Sequence, residues 1–575
     1  MLPGSALLAF LLALCASGAG SLRWTLPAPV RAARGAPSAV VTGGRVVGEW
    51  VEGAPGVARF LGIPYAASTA GAGRWSPPSA PDSWAPGTLR ATAWGPACVQ
   101  AQPPGDPDVP PASEQSEDCL SVNVFTAALG STPLGNPVPV MLFFHGGAFV
   151  AGSSHGPWGL YDGSRFAQRG QVVVVSANYR LDALGWLVTS AKDGAQGNYG
   201  LLDQRTALAW VRDNCGAFGG DPGRVTLWGE SAGGMSGLVH MVSPPSQGLF
   251  QRVIQQSNPA GFSYLTPAHA AVYGDALASK LGCGRPAKGQ SQLDCLRGCA
   301  AGAVMNASLA VVSSYYDVAR GSGFSLLEGV LQWGPVVDGQ QVPQQPMAVV
   351  AQLRLPAGVD LLLGHNTDEV ATFLDNSYYA GEFPSLVFDT VLVSIFGIRG
   401  SAAVKQRYAH TGLPAGVELL DLIMTDYWFR CAKEAVAVAV GSAGGRAWSY
   451  RFDANASFAP EVWPRFGLPQ CVRKVCHAAE LMFVFGNTGE WHFTEAETRF
   501  SEALLDAWAR FAHTGDPNQE PGAGSTARRL RGDAAWPLLV NETRLSLVLT
   551  DEWQTESSED LCAGFWDGVG YASAG

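Results

Sequence analysis

The motif Gly229-Glu230-Ser231-Ala232-Gly233 directly follows the apolar run Val225–Trp228 (VTLW) and precedes small residues that can start a helix. Gly-x-Ser-x-Gly between a strand and a helix is typical of a nucleophile elbow, a strained turn that lifts the serine hydroxyl above the edge of a sheet. Glycine on both sides of the serine lets the chain double back. The motif alone also occurs by chance in a chain with 70 Gly among 575 residues. The strand before it favours the elbow and makes Ser231 a candidate nucleophile.

Further apolar runs rich in branched or aromatic residues predict other buried strands. They are Val138–Phe144, Val172–Ser176, Asp360–Leu363 and Trp448–Phe452. Helical spacing of apolar residues predicts helices over Leu202–Phe218 and Thr494–Ala512. Continuous apolar strands alternating with helices are typical of a parallel sheet covered on both faces. The sequence therefore predicts an α/β fold with a large, mostly parallel sheet and helices on both faces.

A second motif, His145-Gly146-Gly147-Ala148-Phe149, comes directly after the predicted strand Val138–Phe144. In the α/β-hydrolase fold a loop at this place supplies backbone N–H groups to an oxyanion hole. Small residues there let the backbone approach a substrate closely. His145 lies at a strand end without a partner motif, and we interpret it as structural.

Together with other segments, these motifs resemble the type-B carboxylesterase/lipase family, which includes the cholinesterases. The resemblance covers the chain from about Val40 to Trp566. It implies one α/β-hydrolase domain, which we place at residues 20–575. The remaining segments that carry it are Phe60–Ala66, Glu117–Val124, Asn178–Leu181, Gly197–Gln204, Phe218–Pro222 and Gly334–Gly339.

The resemblance also locates partners for Ser231. The family acid is usually the Glu of Asp-Glu-Gly after a strand, which matches Glu369, although Val370 replaces the glycine and Asp368 is a neighbouring carboxylate. The family base is the His of a His-x-x-Glu-Leu/Ile segment before Phe-x-Phe-Gly, which matches His477. The order Ser231, Glu369, His477 is the one this fold uses. The resemblance therefore implies a Ser-Glu-His triad that hydrolyses carboxylic esters through an acyl-enzyme.

The family's oxyanion donors map to the backbone N–H groups of Gly147, Ala148 and Ala232. Many members have Gly where Ala148 stands, but alanine keeps the N–H. Glu230 resembles a family glutamate near the leaving group. A purely structural, hydrogen-bonded role for Glu230 is an equal alternative.

The chain has 11 Cys, and ten remain if a leader containing Cys15 is removed. The resemblance implies the disulfides Cys98–Cys119, Cys283–Cys295 and Cys431–Cys562. A Cys471–Cys476 bridge would stiffen the segment that carries His477, and two free buried thiols are the alternative. The sequence does not pair Cys215 or Cys299.

The N-terminus predicts export from the cell. Ala6–Ala16 is an unbroken apolar run followed by small residues, which is typical of a secretory signal peptide, here residues 1–19. Export would give meaning to the glycosylation sequons that begin at Asn306, Asn455 and Asn541. An even number of cysteines also suits an oxidising compartment. We therefore expect a secreted, disulfide-bonded glycoprotein.

Charge and composition exclude several other classes. The formal charge of −11 and the lack of a basic block argue against nucleic acid as a partner. No stretch beyond the N-terminal run is expected to span a membrane. There is neither a His-x-x-x-His nor a Cys-x-x-Cys pattern, so we expect no metal and no cofactor. A small-molecule ester is the expected partner, and the sequence does not give the oligomeric state.

Four alternatives to a general carboxylesterase remain. One is a catalytically silent adhesion or binding protein, because the resembled family contains members that keep the fold and lose catalysis. The others are a cholinesterase, a lipase and an amidase. Cholinesterases carry a tryptophan for the quaternary ammonium inside the loop closed by their first disulfide. The matching loop here, Val99–Asp118, has no aromatic residue. Trp94, just before this loop, and Trp158, beyond the oxyanion segment, are the candidate substitutes.

Overall fold

A mixed sheet of eleven strands forms the centre of the computed structural model. The structure describes residues 35–101, 109–129, 136–314, 331–374, 379, 384–521, 535–550 and 552–571. The predicted signal peptide, residues 1–19, lies outside the described residues. The strands are β1 Ser38–Val41, β2 Gly44–Val47, β3 Glu49–Trp50, β4 Ala58–Pro64, β5 Thr88–Arg90, β6 Ala97–Cys98, β7 Gln115–Ser116, β8 Ser121–Thr126, β9 Val138–Phe144, β10 Val173–Ala177, β11 Gly220–Glu230, β12 Arg252–Gln256, β13 Asp360–Asn366, β14 Ala447–Phe452, β15 Leu545–Leu549 and β16 Gln554–Ser557.

The sheet order is β16-β15-β14-β13-β12-β11-β9-β10-β8-β4-β3. The seven strands from β15 to β10 run parallel to one another. The strands outside them pair antiparallel at both edges. The prediction of a large, mostly parallel sheet is confirmed, and the antiparallel edges are a feature that the sequence analysis did not predict.

Helices cover both faces of this sheet. They are α1 Ser164–Arg169, α2 Asp182–Trp186, α3 Tyr199–Asn214, α4 Ala232–Val242, α5 Pro267–Lys280, α6 Gln292–Arg297, α7 Ala301–Ser313, α8 Pro346–Ala351, α9 Ser385–Tyr408, α10 Val417–Met424, α11 Cys431–Ser442, α12 Ala459–Val462, α13 Leu481–Phe485, α14 Glu495–Thr514, α15 Glu559–Leu561 and α16 Asp567–Val569. The two predicted helices correspond to α3 and α14, with bounds shifted by a few residues. Thr494 begins α14 with a capping box that includes Glu497.

The apolar run of β9 is buried from both sides. Val140, Leu142 and Phe144 belong to one hydrophobic core, which also holds the buried residues of α3. Met141 and Phe143 belong to the other, with the buried residues of α14. Successive side chains of a strand point to opposite faces, so a strand inside a two-sided layer must be apolar at every position. The continuous apolar pattern of β9 follows from this arrangement.

Four disulfides link described cysteines. They are Cys98–Cys119, Cys283–Cys295, Cys431–Cys562 and Cys471–Cys476, with Cα–Cα distances of 5.0–5.7 Å. Cys215 is a buried free thiol and Cys299 a partly exposed one. The three sequon asparagines, Asn306, Asn455 and Asn541, are all exposed. Disulfides of this number are typical of proteins from the secretory pathway.

One described helix, α9, is long and apolar enough to cross a membrane by length and composition, and only 22% of its most apolar window is buried. The sequence analysis did not single out this segment. Gly397 interrupts the helix with φ +68° and ψ 176°, outside the helical region. Each part is therefore shorter than the roughly 20 residues that a spanning helix needs.

The junction of β9 with α4 depends on a glycine without a side chain. A Cβ placed on Gly233, in the first turn of α4, would lie 1.9 Å from the carbonyl oxygen of Phe144 at the end of β9. One atom of this contact is a Cβ and the other is a backbone oxygen, so no side-chain rotation relieves the clash. The close approach brings the loop after β9 to the start of α4.

We predict that Gly233→Ala lowers the free energy of unfolding by about 3 kcal/mol or more, the range of severe overpacking. The control is Gly216→Ala, because a Cβ on Gly216 meets no atom within 4 Å. The measurement is the apparent melting temperature of each variant beside the parent protein at one scan rate. Equal melting temperatures for the two variants would contradict the packing account.

Candidate active site

Ser231 occupies a strained turn between β11 and α4. Its φ is +55° and its ψ −120°, a conformation that residues with a side chain rarely adopt. The backbone N–H of Ser231 donates to the Gln256 carbonyl at 3.0 Å, which fixes the turn to the end of β12. A Cβ on Gly229 would lie 2.4 Å from the Gly233 carbonyl carbon, so the glycines on both sides of Ser231 are required by packing. The turn has the geometry that the Gly-x-Ser-x-Gly motif predicts.

The loop after β9 lies directly against this turn. A Cβ on Gly146 would lie 3.0 Å from the Ser231 Cβ. Gly147, Ala148 and Phe149 all have positive φ, at 97°, 51° and 64°. The Gly147 carbonyl accepts from the N–H groups of Val150 and Ala151, which closes the loop into a tight turn.

The backbone N–H groups of Gly147, Ala148 and Ala232 donate to no residue within the described ranges. Gly147 and Ala148 are exposed in the loop, and Ala232 is buried in the first turn of α4. The first N–H groups of a helix have no partner inside it and favour negative charge. The three predicted oxyanion donors are therefore available for an external acceptor.

Glu369 and His477 are in direct contact, although 108 residues separate them. Glu369 follows β13 and is fully buried, and its Oε2 lies 2.5 Å from His477 Nδ1. Its Oε1 accepts from the backbone N–H of Asn366 at 2.6 Å. The other ring nitrogen of His477, Nε2, lies 3.2 Å from Glu230 Oε1, in a geometry that makes no hydrogen bond. His477 is thus flanked by two carboxylates.

A cavity of about 350 Å³ brings most of the predicted residues together. Ser231, His477, Gly147, Ala148 and Glu230 all line it. Glu369 and Ala232 are not among the residues that line the cavity. Its remaining wall is largely apolar and includes Trp158, Tyr161, Phe373, Trp463 and Phe466.

The family of the chain follows from comparison with known proteins. The model of the carboxylesterase family matches residues 35–563, nearly the whole described chain. The chain belongs to the carboxylesterase family.

Several known proteins resemble this carboxylesterase-family chain. Para-nitrobenzyl esterase of Bacillus subtilis (strain 168) is 34% identical over 517 residues, covering 88% of this chain and 94% of that protein. Neuroligin-2 of Homo sapiens is 32% identical over 527 residues, covering 80% of this chain and 58% of that protein. A solved structure titled PNB esterase superposes with a TM-score of 0.73 at 32% identity, covering 93% of this chain and all of that one. The solved relative confirms the α/β-hydrolase fold.

Polar groups that the sequence analysis did not assign connect the loop that carries Glu369 to the segment that carries His477. The Asp368 and Val475 backbones pair, with the Asp368 N–H 3.0 Å from the Val475 carbonyl. Asp368 Oδ2 accepts from the Val475 N–H at 2.9 Å. Lys474 Nζ donates to Asp368 Oδ1 and to buried Asp421, at 3.2 and 2.9 Å. Asp368, the carboxylate next to Glu369 in the sequence, thus ties the loop that carries Glu369 to the segment that carries His477.

A second set of buried polar groups lies behind the triad. Asn366 Nδ2 donates to the Cys476 carbonyl at 2.8 Å and to Glu480 Oε2 at 2.7 Å. Gln256 Nε2 donates to Glu480 Oε1 at 2.9 Å. Burial and then the charge of Glu369 raise the pKa of Glu480. Glu480 is the glutamate of the His-x-x-Glu segment, which is the feature of the sequence that points to this network. The network fixes the segment next to the Cys471–Cys476 disulfide.

The charge state of His477 depends on its two carboxylate neighbours. Burial lowers the pKa of His477, but Glu230 and Glu369 raise it by more, to about 9. The raised pKa means that the imidazole loses its proton at a higher pH than a free histidine does. A general base must be neutral to accept a proton. The sequence analysis left open whether Glu230 is functional, and the structure places its carboxylate beside His477 Nε2.

We predict that Glu230→Gln shifts the pH dependence of ester hydrolysis. Loss of the Glu230 charge removes one of the interactions that raise the pKa of His477, so the rising limb of kcat/KM moves to lower pH, by about one unit for each 1.4 kcal/mol of lost interaction. The measurement is kcat/KM for p-nitrophenyl acetate from pH 5 to about 10.5, corrected for spontaneous hydrolysis.

Glu495→Gln is the matched control, because this carboxylate at the start of α14 is 89% exposed and lies outside the cavity wall. Its profile should overlay that of the parent protein. A limb that stays in place in Glu230→Gln would show that Glu230 does not act on the base.

Proposed function

We propose that this protein is a serine carboxylesterase that hydrolyses small carboxylic esters through an acyl-enzyme. Ser231 is the nucleophile, His477 the general base and acid, and Glu369 the group that orients the imidazole. The N–H groups of Gly147, Ala148 and Ala232 bind the oxyanion. The observation that carries the proposal is the Glu369–His477 hydrogen bond beside a cavity that His477 shares with the strained Ser231.

The proposed reaction moves one proton twice. Ser231 Oγ attacks the ester carbonyl carbon while its proton passes to His477 Nε2, and the carbonyl oxygen becomes an oxyanion. The C–O bond then breaks, and His477 returns the proton to the departing alcohol. Water repeats both steps and releases the acid. His477 Nε2 has no hydrogen-bond partner within the described chain, and catalytic hydrogen bonds of unliganded enzymes often tighten only when substrate binds.

Each oxyanion donor can contribute about 3 kcal/mol to the transition state when it points at the developing charge. Glu369 keeps Nδ1 protonated, so that Nε2 carries the lone pair that accepts the serine proton. Glu230 and Glu369 together stabilise the imidazolium that forms during the attack.

The size and lining of the cavity favour small, neutral esters. A volume of about 350 Å³ holds about a dozen non-hydrogen atoms at roughly 30 Å³ each. An aryl or short alkyl alcohol fits that space. Trp158 and Trp463 line the wall and could contact a cation, but the one acidic residue in the described lining is Glu230, which neighbours His477. Choline esters are therefore not the preferred substrates.

The proposal includes the compartment in which the protein works. Four disulfides, three exposed sequon asparagines and the apolar N-terminal run support a secreted glycoprotein.

A series of p-nitrophenyl esters with acyl chains of increasing length tests the proposal. We expect hydrolysis of the short-chain esters, a decline for long chains, and a loss of about 10⁴-fold or more in kcat for Ser231→Ala. Acetylthiocholine is compared with an uncharged acetyl thioester whose leaving thiol has similar acidity. We expect the uncharged thioester to have the higher kcat/KM.

Ser257→Ala is the control, since Ser257 is a buried serine outside the cavity wall. No hydrolysis of any ester by folded protein would favour the silent binding protein over the esterase. A clear preference for acetylthiocholine would instead favour a cholinesterase, and a preference for long chains a lipase.

A further inference from the structure

A groove of about 620 Å³ lies outside the candidate active site and shares none of its lining residues. Most of its wall comes from the segment that follows β14, the first turn of α14 and the connection from β15 to β16. The proposed esterase mechanism uses none of these groups. The groove is therefore a separate feature of the surface.

One of the sequon asparagines lies in the wall of this groove. Asn455 is exposed and lines it, whereas Asn306 and Asn541 are exposed but do not line it. An N-linked sugar is attached to the side-chain amide of asparagine. A sugar on Asn455 would thus start inside the groove, and sugars on the other two would start elsewhere.

The backbone on both sides of Asn455 is held in place. Two residues later, the Ser457 N–H and hydroxyl both donate to the Glu497 carboxylate, the hydroxyl at 2.9 Å. Two residues earlier, the Asp453 N–H donates to the Leu549 carbonyl at 3.0 Å. A sugar attached between these two anchored points stays close to the wall.

The wall combines hydrogen-bond acceptors with small apolar side chains. Glu552 and Gln554 are exposed in it, and their side-chain oxygens can accept from the hydroxyl and amide N–H groups of a sugar. Ala454 and Ala496 offer apolar surface to the C–H groups of a sugar ring. Pockets of about 300–1,000 Å³ hold drug-sized molecules, so a groove of about 620 Å³ has room for two sugar residues.

We propose that Asn455 carries an N-linked glycan whose first two N-acetylglucosamine residues bind in this groove. The inference rests on the proposed export of the chain. Attachment forms a C–N bond between the Asn455 amide nitrogen and the anomeric carbon of a lipid-linked oligosaccharide. The diphosphate group of the donor leaves, and the amide loses one proton. Because the glycan is tethered beside the wall, its effective concentration there is high, and weak contacts are enough to hold it.

The test measures how fast endoglycosidase H removes the glycan from each sequon of the folded protein. This enzyme cuts between the first two sugars of oligomannose glycans, so the full chain is expressed in cells that make only such glycans. Mass spectrometry of the peptides gives a separate rate for Asn306, Asn455 and Asn541. We expect release at Asn455 to be about tenfold slower, because the enzyme acts only on the fraction of glycan that lies outside the groove. Denaturation should remove the difference.

Removal of the acceptors in the wall is the matched test. Glu552→Ala combined with Gln554→Ala should raise the release rate at Asn455 by about tenfold, to that of the other sites. Glu559→Ala removes an exposed carboxylate outside the groove and should leave the rate unchanged.

Three outcomes would overturn the inference: release at Asn455 as fast as at the other sites, a slow rate that the double variant does not change, or an unoccupied Asn455 beside an occupied Asn306 or Asn541. Absence of a glycan from all three asparagines would instead remove the proposed secreted glycoprotein. Ester hydrolysis by the same preparation tests the esterase proposal separately.

Discussion

The strained backbone turn at Ser231 is the constraint to which the neighbouring elements conform. It requires glycine at 229 and 233, and the missing Cβ at Gly233 lets α4 meet the last carbonyl of β9. Because β9, β11 and β13 are parallel members of one sheet, the segments that follow them emerge at the same edge. The loop after β9, Ser231 and the segment that carries Glu369 therefore meet there, and the candidate active site is a consequence of the sheet order.

The two carboxylates beside His477 have opposite effects on its proposed roles. They stabilise the charged imidazolium, and they make the neutral imidazole harder to form. In the proposed mechanism, two carboxylates next to the ring favour the imidazolium that forms on transfer of the serine proton. The same carboxylates raise the pKa of His477, so the neutral base forms at a higher pH than it does in a free histidine. Asp368 and Lys474 fix the segments on either side, which keeps the ring at Glu369. The proposed catalysis therefore depends on the buried charged groups around His477 and not on His477 alone.

The sequence predicted the central strands and the Ser231 turn because their signals are local. Apolar runs mark β9 and β11, and Gly-x-Ser-x-Gly marks the turn between β11 and α4. Glu369 and His477 lie in separate loops, and only the family resemblance located them. The Asp368–Lys474 pairing and the cavity wall at Trp463 depend on tertiary contacts between distant segments, which no local pattern encodes. The antiparallel edges of the sheet were missed for the same reason.

The most direct test of the central claim is covalent labelling of the nucleophile. The folded protein is treated with a slight excess of diethyl p-nitrophenyl phosphate, and the release of p-nitrophenol, the residual esterase activity and the labelled peptide are measured together. The account predicts one label per chain, on Ser231, with activity lost in proportion and no label in Ser231→Ala. Labelling at another serine, or full activity after Ser231 is labelled, would contradict it.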